Sequence, residues 1–272
     1  MKDIKEITAR LEEGVKGVFD SEKYREYLSF MGKFHRYSIN NSILIWIQKP
    51  DASYVAGYKA WQTKFNRNVR KGEKGIHILA PCPHKIVKPI TDAEGNFVEE
   101  REINYMTYRP TTVFDISQTD GDEVPGICDE LTGDVENFDS LMDKLKAVSP
   151  VPIEYEDITS GALGYFDPVG KRIAVKDGMS QTQTIKTAIH EVAHAILHDR
   201  ENGEAKDSNR ETKEVQAESV AFTVCTMLGI DTEGYSFEYV ANWSTGREVK
   251  ELVASMEIIR KTANFIVEGV AA

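Results

Sequence analysis

The sequence has few cysteines and no long apolar run, the features that are typical of secreted and membrane proteins. Among its 272 residues are only three cysteines, Cys82, Cys128 and Cys225, and this odd, scattered set argues against a disulfide framework or a cysteine-based zinc module. Its apolar runs are short and broken by charge, and residues 1–20 lack the hydrophobic segment of a signal peptide. We therefore expect a protein of the reducing cytoplasm that makes no membrane contact.

Two segments of the chain are each dominated by charge of one sign. The whole chain carries 33 Lys and Arg against 44 Asp and Glu, a net charge of −11. Residues 31–90 nevertheless contain 11 basic residues against two acids, and residues 119–157 contain 12 acids against two lysines. A concentrated basic segment either contacts a polyanion or forms a solvated face, and charge alone leaves both readings open.

The acidic segment also separates two patterns of secondary structure. It contains a group of turn-forming residues: Gly121, Pro125, Gly126 and Gly133. We predict an α+β protein of two domains, residues 1–118 and 134–272, joined by an acidic linker at 119–133. With 41% hydrophobic residues, the chain has ample material for a core, and this excludes wholesale disorder.

Hydrophobic periodicity predicts elements in both halves. In the first half we expect helices at Ile4–Val18 and Ser21 to about Arg36, strands at Ile76–Ala80 and Tyr105–Ile116, and a hairpin turn at Thr91–Asn96. In the second half we expect a helix capped by Asp134 and running to Val148, a strand pair around Gly164–Val175, and helices near 180–199, 208–229 and 245–268. The second half is thus mostly helical.

The most specific motif is His190-Glu191-Val192-Ala193-His194, an H-E-x-x-H within a predicted helix. Residues four apart lie one above the other on a helix, so both imidazoles can reach one ion. Glu191 points about 100° away from His190 around the helix. There it can act as the general base toward water without binding the ion. The alternative is a pair of core-edge histidines held by hydrogen bonds.

A tetrahedral zinc site needs a third protein ligand, and the next helix offers two acids. His198 lies about 12 Å along the helix axis from His190, too far to share its ion, and we expect a structural role for it. Glu214 and Glu218 fall one turn apart on the apolar side of the helix, where an unpaired carboxylate is costly. We predict Glu214 as the third ligand and Glu218 as the acid that orients a histidine ring. There are two alternatives. Glu214 and Glu218 could exchange these roles, or both could be surface residues that take no part in a metal site.

Around these residues the chain resembles the ImmA/IrrE group of gluzincin-type metallopeptidases. The shared pattern is H-E-x-x-H followed by Glu214-x-x-Ala217-Glu218-x-x-Ala221. The resemblance implies a zinc-dependent peptidase in which the first glutamate of E-x-x-A is a ligand. It also implies an edge hairpin, Gly164–Val175, against which an extended peptide lies. The 19 residues between His194 and Glu214 are fewer than in some relatives.

The first half resembles the N-terminal domain of ArdC-type antirestriction proteins. The segments that carry this resemblance are Tyr37–Asn41, Gln48–Pro50, Val55–Gly57, Trp61, Lys71–Ile76, Ala80-Pro81 and Val113–Thr119. The two halves follow the order used by that family and by the related LtrC-like proteins of conjugative elements. The resemblance implies a plasmid- or transposon-borne protein in which a single-stranded-DNA-binding domain precedes a metallopeptidase domain.

Aromatic and basic residues are interleaved in residues 31–90, the mixture with which single-strand-binding proteins stack bases and contact phosphates. We predict that the DNA-binding residues are Tyr37, Asn41, Trp61, Arg67, Arg70, Lys71 and Lys74. We assign three further aromatics to the core: Phe34, Trp46 and Phe65. There are two alternatives to this prediction. The basic residues could form a solvated loop, and an amide such as Asn41 could cross-link the fold.

The leading hypothesis is a cytoplasmic antirestriction-type protein that binds single-stranded DNA and hydrolyses an unidentified protein or peptide with Zn²⁺, Glu191 being the base. Candidate donors to the oxyanion are Tyr165, Tyr235 and Tyr239. One alternative is a DNA-binding or protein-masking factor whose zinc site is structural, and another is a regulatory peptidase that cleaves a repressor. The ligand set also accepts Mn²⁺ or Co²⁺.

Overall fold

The computed structural model describes residues 4–34, 36–91, 97–124, 138–201, 203–204, 208–232, 235 and 237–272. The helices are α1 (Ile4–Val18), α2 (Ser21–Lys33), α3 (Ile39–Gln48), α4 (Tyr58–Phe65), α5 (Phe138–Val148), α6 (Gln181–His198), α7 (Arg210–Met227), α8 (Val240–Ser244) and α9 (Val249–Ala271). The strands are β1 (Val55–Gly57), β2 (Arg67–Val69), β3 (Ile76–Thr91), β4 (Phe97–Asp115), β5 (Thr119–Gly121), β6 (Ile153–Glu156), β7 (Gly164–Asp167) and β8 (Arg172–Lys176). The predicted cap Asp134, most of the linker and most of the hairpin turn lie outside the described residues.

The N-terminal helices form where apolar residues return at helical spacing. Helix α1 buries one face, as predicted: Ile7, Leu11, Val15 and Val18. Helix α3 begins after Ser38, whose hydroxyl accepts a hydrogen bond from the Asn41 backbone N–H. The predicted second helix ends at Lys33, three residues earlier than expected.

Strands β3 and β4 are longer than the sequence predicted. They run over Ile76–Thr91 and Phe97–Asp115 and pair antiparallel from Ile76–Val113 to Thr91–Phe97, in a sheet of order β1-β4-β3. The prediction ended β3 at Ala80, ahead of Pro81 and Pro83, and the structure continues the strand through both. Strand β3 is at the edge of this sheet, where a proline that lacks an N–H removes no ladder hydrogen bond, so the strand continues.

The second half places two helices against a small sheet of order β6-β8-β7. Strand β6 pairs parallel and β7 pairs antiparallel with β8, which leaves β7 at one edge. Helix α6 packs on β7 and β8, and its other side packs on α7. None of the helices in the described part of the chain combines the length and apolar composition that crossing a bilayer requires.

The hydrophobic cores of the two halves are continuous. Tyr24 in α2 is fully buried, and its hydroxyl lies 2.8 Å from Ser219 Oγ in α7. The rings of Phe19 and Trp243 are in contact, with centroids 5.7 Å apart. The N-terminal helices therefore support α7 directly. The exact domain limits, 118/119 and 133/134, stay predictions.

Candidate metal centre

The H-E-x-x-H residues lie in the middle of α6. This helix begins after Ser180, whose hydroxyl accepts a hydrogen bond from the Gln183 N–H at 3.3 Å. His190 and His194, one turn apart, place their Nε2 atoms 3.1 Å from each other. Both rings are mostly buried, with 21% and 15% of their side chains exposed. Helix α6 alone thus brings two imidazole nitrogens to one point.

Helix α7 supplies a carboxylate to the same point. Glu214 Oε2 lies 3.8 Å from His190 Nε2 and 3.7 Å from His194 Nε2. Atoms bound tetrahedrally to zinc at about 2.0–2.1 Å lie roughly 3.4 Å from one another. The three atoms can therefore surround one such ion after shifts of a few tenths of an ångström. These residues form a group whose ligand atoms all lie within 4.8 Å of one another.

Glu218, one turn further along α7, contacts the other nitrogen of His190. Its Oε2 lies 3.2 Å from His190 Nδ1. An Nδ1–H that donates to this carboxylate leaves the Nε2 lone pair facing Glu214, which is typical of metal-binding histidines. Burial lowers the pKa of His190, but the hydrogen bond to Glu218 and the charges of nearby carboxylates outweigh it and raise that pKa above its usual value. Glu214 thus faces the Nε2 atom of His190, and Glu218 faces its Nδ1 atom.

Glu191 lies beside the three ligand atoms. Its side chain is buried and accepts a hydrogen bond from the Phe166 N–H of β7. Burial raises the pKa of this carboxyl group, and the charges of the two imidazoles limit the rise. Gly164 allows β7 to approach, because a methyl group there would lie 2.6 Å from Thr187 Cγ2 and 3.3 Å from Glu191 Cγ. An edge strand therefore runs directly beside a buried proton acceptor.

A series of buried hydrogen bonds begins at the Nδ1 atom of His194. His194 Nδ1 lies 2.9 Å from His198 Nδ1, and His198 Nε2 lies 3.0 Å from Gln216 Oε1. The Gln216 amide in turn donates to Ser255 Oγ at 3.2 Å. Burial lowers the pKa of His198 to about 4, so near pH 7 this ring is neutral and carries one proton.

The position of that proton follows from its partners. An amide oxygen only accepts, so the His198 proton is on Nε2, and His198 Nδ1 accepts from the His194 Nδ1–H. His194 Nε2 then keeps its lone pair for an ion. His198 does not join the ligand group, as predicted, but it contacts one of the ligands, which spacing along the sequence did not reveal.

The three candidate oxyanion donors lie in different surroundings. The Tyr165 hydroxyl donates to the Glu156 carboxylate and accepts from Arg172 at 2.8 Å. Tyr235 is buried, with its hydroxyl 3.6 Å from Cys225 Sγ. Tyr239 lines a cleft of about 570 Å³ together with Glu214 and Glu218. Among the three, Tyr239 is therefore the tyrosine that shares a cleft with the candidate ligand Glu214.

Three of the residues predicted to bind DNA make hydrogen bonds within the fold. Trp61 is fully buried, and its indole N–H donates to the Phe114 carbonyl oxygen at 2.9 Å. The Asn41 amide pairs with the backbone N–H and carbonyl oxygen of Leu79. The Tyr37 hydroxyl, on a half-buried ring, donates to the carbonyl oxygen of Val55. The Trp61 ring is fully buried in this structure, and the assignments of Trp61, Tyr37 and Asn41 to DNA binding stay predictions.

The predicted cations divide into two pairs. Arg67 donates to Thr119 and Gly121, and Arg70 forms ion pairs with Glu73 and Asp120; both therefore join β2 to the segment around β5. The side chains of Lys71 and Lys74, in the loop between β2 and β3, are exposed. The aromatics assigned to packing agree with that assignment, since Phe34 is buried and Trp46 and Phe65 are half-buried.

Two family models match the chain. The model described as the N-terminal domain of anti-restriction factor ArdC matches residues 3–114. The model described as the IrrE N-terminal-like domain, of a metallopeptidase-type family, matches residues 149–229, which contain α6 and α7. The chain therefore resembles ArdC-type proteins in the order of its two matched domains. The α+β class and the family resemblance drawn from the motifs are thereby confirmed.

Solved structures support the same ArdC-type fold. The metal-free crystal structure of the antirestriction protein ArdC from plasmid R388 is 19% identical, with a TM-score of 0.55. The Mn(II)-bound structure of that protein is 22% identical, with a TM-score of 0.54. Each comparison covers 86% of this chain and 85% of ArdC.

A curated relative extends beyond this chain. An uncharacterized protein of Bacillus anthracis is 27% identical over 99% of the chain. The chain spans about half of that relative's length, 51%.

We expect His198→Phe to weaken the binding of a divalent ion without unfolding the protein. Phenylalanine fills a similar volume but cannot accept the His194 proton, so the His194 ring loses the contact that orients it. Removal of such a partner typically lowers metal affinity about 10- to 100-fold. Titration of Zn²⁺ against a chromophoric chelator measures the loss. His84→Phe, at an exposed position in β3, should bind Zn²⁺ like the unmodified chain. Equal affinities in both variants would remove His198 from the support of the site.

Proposed function

We propose that the IrrE-like half of this chain hydrolyses peptide bonds in a reaction that depends on a divalent metal ion. The observation that carries the proposal is the meeting of three metal-ligating residues with a further acid, Glu191, buried beside them. A structural ion has no use for a proton acceptor at its side, whereas a catalytic one needs it.

In this proposal His190, His194 and Glu214 hold the ion, and Glu218 and His198 orient the two rings. Two imidazoles and one carboxylate suit Zn²⁺ and leave a fourth position open. The same set accepts Mn²⁺, the ion in one of the ArdC crystal structures. When bound, such an ion lowers the pKa of a coordinated water and polarises a substrate carbonyl.

Glu191 acts as the general base. Its carboxylate takes a proton from the attacking water as the new C–O bond forms, and gives that proton to the amine nitrogen as the C–N bond breaks. Burial raises the pKa of its carboxyl group above the usual value, which makes the carboxylate a better proton acceptor. Water is thus added across the peptide bond, and Glu191 ends the cycle as a carboxylate.

The substrate backbone lies along β7 in extended form. This strand is the edge of its sheet and runs beside Glu191, so a peptide can add to it as a further strand. The Tyr239 hydroxyl, on the cleft that Glu214 and Glu218 also line, is the group that we propose donates to the oxyanion.

Glu191→Gln tests the enzymatic proposal. The amide cannot accept a proton, so cleavage of a mixed peptide library, followed by mass spectrometry with Zn²⁺ present, should fall about 10²- to 10⁴-fold. Zinc content per chain should stay the same, because Glu191 lies outside the ligand group. His194→Ala is the matched control and should lose both zinc and cleavage.

Two results would contradict the peptidase assignment. Undiminished cleavage by Glu191→Gln would remove Glu191 as the base. Full protection of incoming DNA by the same variant would favour an antirestriction factor that acts through binding alone, with a structural metal.

We also propose that the ArdC-like half binds single-stranded DNA and that the protein acts in antirestriction. Support comes from the match to the N-terminal domain of anti-restriction factor ArdC, from the basic balance of residues 31–90, and from the exposed Lys71 and Lys74. Cations on a loop contact phosphates without reading base sequence, which suits a partner of variable sequence.

The double substitution Lys71→Ala/Lys74→Ala should weaken oligonucleotide binding mainly at low salt. Each lost phosphate contact reduces the slope of log K against log salt by about 0.7 for a single strand. Fluorescence anisotropy with a labelled oligothymidine at several salt concentrations measures this slope. Lys144→Ala/Lys146→Ala, on exposed positions of α5, removes the same charge from the other half and should leave the slope unchanged. Identical slopes for the two double variants would show that the loop does not contact phosphate.

A further inference from the structure

The paired segments Ala80–Lys88 and Arg101–Arg109 of β3 and β4 form a two-stranded ribbon away from the core. Its side chains are exposed, apart from Ala80 and Cys82, which are half-buried. A lone two-stranded ribbon is marginally stable in water. A partner bound along this ribbon would therefore stabilise the pairing of its two strands.

The pairing register sorts the ribbon residues into two faces, because directly opposite residues in an antiparallel pair point the same way. One face, here called the cationic face, carries the pairs Ala80–Arg109, Cys82–Thr107, His84–Tyr105, Ile86–Ile103 and Lys88–Arg101. The other, here called the apolar face, carries Pro81–Tyr108, Pro83–Met106, Lys85–Asn104 and Val87–Glu102.

The two faces differ in charge. Within the ribbon the cationic face contains Lys88, Arg101 and Arg109 and no acid. On the apolar face, Lys85 and Glu102 form an ion pair at 2.6 Å, so the charges there cancel. Arg101 also takes part in another interaction, so the local attraction for a polyanion depends on Lys88 and Arg109, in a chain whose net charge is −11.

An aromatic platform lies between these cations. The rings of His84 and Tyr105 stack with centroids 5.0 Å apart and an angle of 18°. Tyr105 is 47% exposed, and the exposed Ile86 and Ile103 follow it toward Lys88. A flat ring with apolar neighbours and flanking cations is the surface on which an unpaired base stacks while its phosphates meet the cations.

We propose that the cationic face of the ribbon binds single-stranded nucleic acid, with a base stacked on Tyr105 and phosphates at Lys88 and Arg109. From Arg101 to Arg109 the strand rises about 26 Å at roughly 3.3 Å per residue, long enough for about four nucleotides. A duplex keeps its bases stacked on each other, so it cannot use Tyr105 in this way. The inference rests on the proposed binding of single-stranded DNA and places the binding site on this face of the ribbon.

The test compares matched substitutions on the two faces of the same ribbon in the full chain. Tyr105→Ala should weaken binding of a labelled oligothymidine about 5- to 150-fold, the loss of roughly 1–3 kcal/mol of base stacking. Tyr108→Ala changes a tyrosine of similar exposure on the apolar face and should leave the affinity unchanged. Lys88→Gln/Arg109→Gln should reduce the salt slope by about 1.4, while Lys85→Gln should not change it.

The outcomes separate this inference from the function on which it rests. An unmodified chain that binds no oligonucleotide overturns both. Binding that both tyrosine variants keep overturns the ribbon site but leaves single-strand binding in place. Greater weakening by Tyr108→Ala than by Tyr105→Ala overturns the assignment of the face. Equal affinity for a duplex of the same length overturns the preference for single strands.

Discussion

The packing of α6 against α7 is the constraint on which the candidate centre depends. Two imidazoles separated by one helical turn define a point in space, and a carboxylate from the neighbouring helix must meet them there. A rotation of α7 by one residue, about 100°, would carry Glu214 and Glu218 away from the rings. On its other side α7 contacts α2 through Ser219 and Tyr24, so the ArdC-like half helps to hold the helix in that orientation.

Much of this centre could be predicted from sequence because its pattern is periodic. The H-E-x-x-H spacing equals one helical turn, and Glu214 and Glu218 repeat that spacing in a helix whose remaining apolar side is buried. The contact between His198 and Gln216 could not be predicted in this way. It depends on the distance between two helices across a loop, which no period within either helix encodes.

The ArdC-like half was harder to predict because residue type alone does not determine exposure. Trp61 is the residue type of a stacking platform and also of a core, and it lies in the core. Asn41 shows the same ambiguity for amides, since it cross-links α3 to β3. The predicted strand Ile76–Ala80 missed most of a long edge strand, and with it the ribbon whose two faces differ in charge. Only the pairing register separates Tyr105 from Tyr108.

The zinc K-edge X-ray absorption spectrum of the zinc-loaded protein tests the central claim most directly, because it reports the atoms bound to the ion. The account predicts one ion per chain with nitrogen and oxygen ligands at about 2.0–2.1 Å, and outer-shell scattering from two imidazole rings. In Glu214→Ala the two imidazoles should persist while the carboxylate contribution is lost. Sulfur ligands at about 2.3 Å, or a spectrum without two imidazoles, would contradict the account.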